Sequence, residues 1–505
     1  MASRNIVPLR AIVQSPNYHW WAYGAVAIGM LINVMDQSGI NIALPKIADE
    51  FAADIPTVQW ISIGYTLATS AMLMPMGRLS DMIGRKRVYL FGFTFFVILA
   101  VVGGLSQSLS VLIVAKIVQG LASAGVQANS MALITEVFPD NQRGKAMGMY
   151  MAIIGSGAIL GPMVGGVLVT EFGWRSIFFA GIPVSILAMT SAGLVLKGRT
   201  EGQRLGRTGS SFDWAGAALS SGALVAFLLA MTNAWKLGWT SAPILVGLTA
   251  SLVLLASFIF WELRVRDPML DMSLFKNRVF SMAIGARFAS FLGGSAIFFL
   301  MPFYLIQVLG YEARYAALFL VPGALGMAVL GPLSGRLSDR FGTRWPATAG
   351  MVSSAAAMFT LSTLDVNSPV WHVVIGMVLS GVGMGTFSSP NTSAIMGSLP
   401  RDKYGVVSGF VNLARTSANV SGMAVATTIL ATTMLSHGFE PTLSVDSEVV
   451  GAGARLAFVD GLSAALRVSG ALMVIGLVLT IVRPDPKTAT RPEPMPASRA
   501  AAGDD

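Results

Sequence analysis

The sequence predicts an all-α polytopic membrane protein, and three observations support that prediction. The 505 residues are 54% hydrophobic and only 12% charged, whereas soluble domains carry about 25% charged residues. The apolar residues occur in fourteen runs, each close to the roughly 20 residues that a helix needs to cross a bilayer. Glycine is abundant, with 54 residues, which suits helices that pack closely in lipid.

Short polar loops separate the predicted spans and set the topology. An even number of spans places both termini on one membrane face. When that face is assigned to the cytoplasm, most lysines and arginines fall in cytoplasmic loops, as the positive-inside rule requires. We therefore expect an integral protein of the cell membrane (in bacteria, the inner or plasma membrane) with both termini cytoplasmic. The spans lie near residues 20–44, 58–77, 88–107, 110–134, 144–169, 175–196, 214–234, 242–261, 279–309, 313–335, 346–364, 370–396, 405–435 and 461–482.

One internal repeat divides the chain into two halves. The segment GRLSDMIGRKR at 77–87 recurs as GRLSDRFGTRW at 335–345. If spans seven and eight are an insert, both copies follow the second helix of a six-helix half. We therefore predict two six-helix bundles with pseudo-two-fold symmetry plus two extra linker helices. The predicted boundaries are a cytoplasmic N-terminus at 1–19, an N-terminal bundle at 20–196, linkers and the two extra helices at 197–278, a C-terminal bundle at 279–482 and a disordered cytoplasmic tail at 483–505.

Asp36 and Lys116 lie at comparable depth in the first and fourth predicted spans. A lone charge inside the bilayer is costly, so an acid and a base at matching depth are expected to pair. Protonation of Asp36 would break that pair, which would make it a proton switch. A static ion pair that orients two helices is the alternative interpretation.

The fifth span is rich in glycine. Gly157, Gly161 and Gly165 are four residues apart, so they share one helical face that another helix can approach closely. Pro162 removes a backbone donor and favours a kink. The small-residue run VPGALGMAVLGPLSG of the tenth span is a candidate partner from the other half. The full set in this span is Gly148, Gly157, Gly161, Pro162, Gly165 and Gly166.

The repeated loops are candidates for gating. Their glycines allow tight turns, and each acid can bond basic groups or a helix N-terminus. A lone acid in a basic loop is usually a solvated charge, but its repetition favours a gating latch. The residues are Gly77, Asp81, Gly84 and Arg85 in the first copy and Gly335, Asp339 and Gly342 in the second.

Further polar and aromatic residues within the spans are candidates for a substrate cavity. Arg287 and Arg415 lie in the inner halves of spans nine and thirteen, where they either line the cavity or bond helix carbonyls. Phe291 and Tyr304 belong to an aromatic run that suits an apolar pocket, although packing against lipid also explains such runs. The other candidates, which either line a cavity or join helices, are Asn33, Gln37, Gln119 and Asn412.

Several function classes are disfavoured by what the sequence lacks. The chain has no cysteine, which excludes disulfides, thiolate metal sites and thiol catalysis. No P-loop, metal cluster or nucleophile constellation occurs, so we expect no enzyme activity, no metal and no cofactor. The net charge of +9 comes from residues at helix ends, which favours membrane anchoring over nucleic-acid binding.

These motifs together resemble the fourteen-span drug:proton antiporter branch of the major facilitator superfamily, whose members are multidrug efflux transporters. MDQSGINIALP resembles the first-helix motif of that branch, and GRLSDMIGRKR is similar to the loop motif of the superfamily. The spacing from Gly148 to Gly166 matches the antiporter motif at every fixed position. The resemblance implies two bundles that rock around a central cavity, with Asp36 as the proton-coupling acid. It also assigns Lys116 to the proton relay, at a position where the family usually has arginine.

We therefore expect a proton-driven antiporter that exports small lipophilic or cationic compounds (drugs, dyes, antiseptics) by alternating access. Its energy source would be the proton gradient, its surroundings membrane lipid and its working unit a monomer. A single evident acid predicts roughly one proton per cycle and poor handling of divalent cations. The alternatives are export of an endogenous lipid, siderophore or self-made antibiotic on the same fold, a nutrient importer, and a non-transporting membrane enzyme or receptor.

Overall fold

The computed structural model describes residues 14–53, 55–197, 212–311, 313–400, 403–439 and 452–484. These residues form fourteen long helices, joined by short connections and 3₁₀ turns, and contain no strand. The helices are α1 Tyr18–Glu50, α2 Trp60–Ile83, α3 Arg85–Gly104, α4 Leu109–Val137, α5 Arg143–Phe172, α6 Arg175–Val195, α7 Trp214–Leu237, α8 Ala242–Glu262, α9 Arg278–Phe303, α10 Ala313–Phe341, α11 Arg344–Leu361, α12 Val370–Gly397, α13 Tyr404–Ser436 and α14 Ala452–Val482.

Twelve of these helices are long and apolar enough to cross a membrane. The other two, α2 and α11, are rich in Ser, Thr, Ala and Gly, which lowers their mean hydropathy. Both pack among other helices, α2 against α4 and α13, and α11 against α12 and α14. Such neighbours accept small polar side chains that lipid would disfavour. The predicted all-α polytopic fold class is therefore confirmed.

Some observed helices are longer than the predicted spans. α1 continues to Glu50, and α14 begins at Ala452 rather than at 461. Hydropathy marks the part of a helix that lies in lipid, so a helix that extends beyond the hydrocarbon is longer than its apolar run. Between α8 and α9 the chain forms the 3₁₀ turn Met272–Lys276.

The helices form two bundles and a peripheral pair. α1–α6 make the N-terminal bundle and α9–α14 the C-terminal bundle. α7 packs against α2 and α13, one helix from each bundle, and α8 packs against α7. Residues 1–13, 198–211 and 485–505, which include most of the predicted termini, lie outside the described residues, so the exact domain boundaries stay a prediction.

Buried apolar residues join the bundles at one end of the molecule. One hydrophobic cluster contains residues of both bundles, among them Met147 and Tyr150 of α5 and Tyr404 and Val407 of α13. This end carries both repeated loops, and we call it the loop face. Two other clusters each stay within one bundle, around Ile61 and Leu300 respectively. The described parts of the two bundles are therefore packed together at the loop face, and the opposite end is the far face.

Candidate functional site

α1 and α4 bring Asp36 and Lys116 together inside the N-terminal bundle. Lys116 Nζ donates to both carboxylate oxygens of Asp36, each at 3.0 Å. Lys116 is 1% exposed and Asp36 is 8% exposed. Because removal of either partner would leave an uncompensated buried charge, each residue depends on the other.

Two aromatic rings hold the lysine ammonium from other sides. Lys116 Nζ lies 4.8 Å from the ring centroid of Phe178 on α6 and 5.4 Å from that of Tyr65 on α2. A cation over an aromatic face gains about 2 kcal/mol when the site is desolvated. These contacts do not depend on the charge of Asp36, so they would persist if the carboxylate became protonated.

A hydrogen-bond network leads from Tyr65, beside this pair, to the other bundle. Tyr65 donates its hydroxyl to Ser123 Oγ at 2.8 Å, and Asn33 Nδ2 donates to the same oxygen at 2.7 Å. Gln127 Nε2 donates to Asn33 Oδ1 at 2.9 Å. Asn412 Nδ2 of α13 approaches the backbone oxygen of Gln127 at 3.5 Å. Asn33 and Asn412, both candidate cavity residues, therefore belong to one network that crosses the bundle interface.

The C-terminal bundle contributes two arginines to the same central region. Arg287 is fully buried, and its Nη1 donates to Thr392 Oγ1 at 2.9 Å. Its guanidinium lies 5.1 Å from the ring centroid of Phe291. Arg415 is half-buried on α13. Both charges are close enough to act on the hydroxyl of Tyr150, which α5 of the N-terminal bundle contributes.

The glycine face of α5 packs directly on α1, the helix that carries Asp36. A Cβ at Gly157 would lie 2.9 Å from the side chain of Val34, and one at Gly165 would lie 3.2 Å from a backbone oxygen of α1. A Cβ at Gly161 would collide with Ser38, whose hydroxyl donates to the backbone oxygen of Gly157 at 3.2 Å. The spacing therefore fixes how closely α5 approaches the acid-bearing helix.

The small-residue run of α10 does contact α5, as the sequence suggested, but at a different face of α5. A Cβ at Gly148 would collide with the backbone oxygen of Gly331 on α10. Gly148 thus faces the C-terminal bundle, while the face made by Gly157, Gly161 and Gly165 stays within its own bundle. Gly166 has open space around it, and Pro162 lies inside α5.

The acids of the two repeated loops reach across the bundle interface. Asp81 accepts hydrogen bonds from the backbone N–H groups of Gly405 at 3.1 Å and Val406 at 2.9 Å, in the first turn of α13. Asp339 accepts them from Gly144 at 2.7 Å and Lys145 at 2.9 Å, in the first turn of α5. Each carboxylate thus satisfies free amides at a helix N-terminus of the opposite bundle. We call these two interactions the cross-bundle caps.

Glycines allow the loops to turn and the helices to meet. Gly84 and Gly342 have φ angles of 106° and 89°, which L-residues with a side chain rarely adopt. A Cβ at Gly77 would collide with the backbone oxygen of Gly405, and a Cβ at Gly335 with that of Gly144. Both caps therefore depend on close backbone contact beside them.

Three cavity candidates are used in other ways. Tyr304 is fully buried in the C-terminal bundle and donates to the backbone oxygen of Asp365 at 2.7 Å, so it does not line an open cavity. Gln119 is buried, and its Nε2 approaches the backbone oxygen of Phe96 at 3.4 Å. Gln37 is half-buried and approaches Thr66 Oγ1 at 3.5 Å. The direction in which each side chain points determines its role. The sequence does not show that direction for an aromatic or polar residue within an apolar run.

Comparison with known proteins gives relatives of similar length. The chain is 29% identical to the riboflavin transporter RibZ of Clostridioides difficile over 462 residues, which is 92% of this chain and 97% of the relative. It is 31% identical to the multidrug resistance protein Stp of Mycobacterium tuberculosis over 420 residues, 83% of this chain and 77% of the relative. It is also 31% identical to the tetracenomycin C resistance and export protein of Streptomyces glaucescens over 427 residues, 83% and 76% of the two chains.

Solved structures share the fold at low sequence identity. The human organic anion transporter MFSD10 has a TM-score of 0.66 and 14% identity, with 92% of this chain and 100% of that chain covered. The proton:xylose symporter XylE has a TM-score of 0.60 and 15% identity, with 93% and 96% covered. Residues 26–423 match the family model of the Major Facilitator Superfamily. The chain therefore belongs to the major facilitator superfamily.

Proposed function

We propose that this chain is a proton-driven antiporter that exports small lipophilic compounds such as drugs, dyes and antiseptics. The observation that carries the proposal is the buried pair of Asp36 and Lys116. A carboxylate held inside the membrane by one cation is suited to exchange that cation for a proton. Relatives named for multidrug resistance, tetracenomycin C export and puromycin resistance support drug-like cargo.

The loop face is the cytoplasmic face in this proposal, and the chain acts as a monomer in the cell membrane. Arg85, Arg143 and Arg344 begin helices at that face, which agrees with the positive-inside rule. The cross-bundle caps then act as a gate that closes the cavity toward the cytoplasm. The packing described above corresponds to the outward-facing state.

Alternating access couples the two movements. Cargo leaves toward the far face, and Asp36 takes up a proton from that side and releases Lys116. The caps then open, the proton is lost to the cytoplasm, and new cargo binds from there. Coupling requires that the proton and the cargo each stabilise a different state of the transporter.

One proton per cycle supplies enough energy for useful export. A pH difference of one unit contributes about 1.4 kcal/mol, and a potential of 100 mV contributes about 2.3 kcal/mol per charge. Their sum corresponds to a gradient of roughly 500-fold for a neutral cargo. The single acid of the pair is therefore sufficient for concentrative export.

A transport assay in proteoliposomes tests the coupling role of Asp36. A dye found by screening in cells that lack their own pumps would be loaded, and its uphill movement followed after a pH jump. We expect Asp36→Asn to abolish proton-driven accumulation, because the amide cannot be protonated, while it keeps downhill movement of the dye. Asp49→Asn, an exposed acid at the far end of the same helix, is the matched control and should pump normally. Uphill pumping by Asp36→Asn would reject the proposal.

Transport of a riboflavin-like nutrient or other endogenous compound is the second candidate. The riboflavin transporter relative is covered over 97% of its length, so cargo of this kind has direct support from a relative. Proteoliposomes with riboflavin placed either inside or outside distinguish the candidates, since they report both whether riboflavin is transported and in which direction. Riboflavin movement without movement of any dye would favour this second function.

A further inference from the structure

Arg287 is a buried cation with unused hydrogen-bond donors. Its Nη1 donates to Thr392, but Nε and Nη2 have no acceptor among the residues that the structure describes. The ring of Phe291 lies on one side of the guanidinium and attracts the charge, but it accepts no in-plane hydrogen bond. Arginine stays protonated in proteins, so this residue cannot become neutral to escape the cost of burial.

Arg415 is a second cation beside the first. Its Nε is buried without a partner, and within the described ranges no hydrogen bond or ion pair joins its guanidinium. Its charge acts unfavourably on Arg287. The hydroxyl of Tyr150 is close enough to interact with both guanidiniums, but it is neutral and balances neither charge. The centre of the molecule therefore holds two like charges that the described residues do not balance.

Two other buried cations among the described residues, Lys116 and Lys86, have acceptors for their ammonium groups. Lys116 is paired with Asp36. Lys86 Nζ donates to the backbone oxygens of Gly193 at 2.7 Å and Leu196 at 2.6 Å. Buried polar groups in native proteins are nearly always satisfied, and each exception needs an explanation.

We propose that Arg287 and Arg415 bind an anionic oxygen group of the cargo, a carboxylate, phenolate or sulfonate carried on an apolar body. The proposal deepens the function given above and depends on it for the statement that the ligand is cargo. The planar fork of a guanidinium matches a carboxylate in two parallel hydrogen bonds. The two arginines come from α9 and α13, and Tyr150 comes from α5, so one anionic group at this site would contact both bundles.

The proposal changes the expected charge balance of transport. Export of a monoanion against entry of one proton moves two positive charges inward per cycle, whereas a neutral cargo moves one and a monovalent cation moves none. An anionic cargo would therefore draw on the membrane potential twice. Permanently cationic dyes become the least favoured cargo, which narrows the range that the sequence left open.

A binding assay with two matched dyes tests the site without any gradient. Anilinonaphthalene sulfonate and phenylnaphthylamine share an aromatic body, and only the first carries a sulfonate. Each would be titrated against the full chain in lipid nanodiscs, with empty nanodiscs subtracted. We expect the wild type to bind the sulfonate at least about tenfold more tightly, since hydrogen bonds to charged groups are worth that much. The double variant Arg287→Gln/Arg415→Gln should lose this preference and keep its affinity for the neutral dye.

Arg278→Gln is the matched control for the binding assay. It removes the same charge from the exposed start of the same helix, α9, and should keep the preference. Equal affinity of the wild type for the two dyes, or a preserved preference in the double variant, overturns the proposal. Asp36→Asn should also keep the preference. Uphill pumping by Asp36→Asn, with the preference intact, would reject the proposed function alone.

A stability measurement covers the case in which the double variant folds poorly. Arg415→Met removes an unpaired charge and keeps much of the apolar stem, so it should raise the melting temperature of the dye-free protein. It should also abolish the stabilisation that added sulfonate dye gives to the wild type. A lowered melting temperature in the dye-free variant would show that Arg415 has a structural partner and would overturn the proposal.

Discussion

Asp81 and Asp339 occupy the same position in two copies of one loop, yet their surroundings differ. Both cap the first turn of a helix in the opposite bundle. Asp81 is buried and also accepts two hydrogen bonds from Arg85, which in turn donates to Glu136 at 2.7 Å. Asp339 is only half-buried, and the second copy has Thr343 where the first has Arg85. The shared GRLSD segment thus supplies the cap, and the residue after the glycine sets its environment.

This difference predicts unequal strength in two interactions of equal geometry. A helix cap contributes about 1 kcal/mol. Removal of Asp81 also takes an acceptor away from the buried Arg85, which adds about 1–3 kcal/mol. The cap on α13 should therefore stabilise the closed loop face more than the cap on α5 does.

The largest expected effect is the difference between Asp81→Ala and Asp339→Ala. We expect Asp81→Ala to shift the closed loop face toward opening by about 2–4 kcal/mol and Asp339→Ala by about 1–2 kcal/mol. The chain has no cysteine, so spin labels at Ile83→Cys and Phe341→Cys, both exposed, would report the distance between the bundles. Glu171→Ala, an exposed acid at the other end of α5, is the control. Equal shifts for the two loop acids would contradict the comparison.

Exchanging Arg85 and Thr343, the residues that follow the loop glycines, should change the free energy of the closed state by a smaller amount. Arg85→Thr makes the first loop resemble the second and should weaken the closed state by about 1–2 kcal/mol. Thr343→Arg should not strengthen the second cap, because Arg483 Nη2 already donates to Thr343 Oγ1 at 3.1 Å and two cations would then meet. The same pair of spin labels measures both effects. A stronger closed state in Thr343→Arg would show that Arg483 moves away.

The smallest effect is expected at Lys403, which precedes α13 and pairs with Asp271. Burial alone would raise the pKa of Asp271, but hydrogen bonds from Lys403 and Ser273 outweigh it and lower the pKa to about 2. Because the pKa is lowered on folding, the pair stabilises the protein above the unfolded value of about 3.9 and is lost only as the pH falls toward 2. Lys403→Gln should therefore cost less than about 1 kcal/mol. The melting temperature of the Lys403→Gln variant should differ from that of the wild type by the same amount at pH 5.5 and pH 8. A difference that depends on pH would mean that another group titrates with the pair.

The sequence predicted the fold well because the features that define this fold are runs and repeats of consecutive residues. Apolar runs mark spans, and one repeat marks two halves. The pairing of Asp36 with Lys116 followed from depth alone, since each charge had only one plausible partner in its half. The acids of the repeated loops were likewise found as a pair because the repeat itself drew attention to them.

The sequence could not predict which side of each helix faces inward. A membrane helix is apolar all round, so its pattern carries little amphipathic signal. Tyr304 was therefore a candidate cavity residue, although its side chain points into its own bundle. Tyr65, Ser123 and Tyr150 were not predicted as site residues, because their role comes from neighbours on other helices.

The rings around Lys116 also act as insulation. Phe178 has no atom that can accept or pass on a proton, and Tyr65 uses its hydroxyl on Ser123. In the proposed cycle, a hydrogen ion on the Asp36 carboxylate therefore meets the faces of two rings on these sides while the loop face is closed, and it reaches the cytoplasm only after the caps open. An uncoupled current through the resting transporter would drain the cell's energy supply, and hydrocarbon walls beside the charge are a direct means of preventing it.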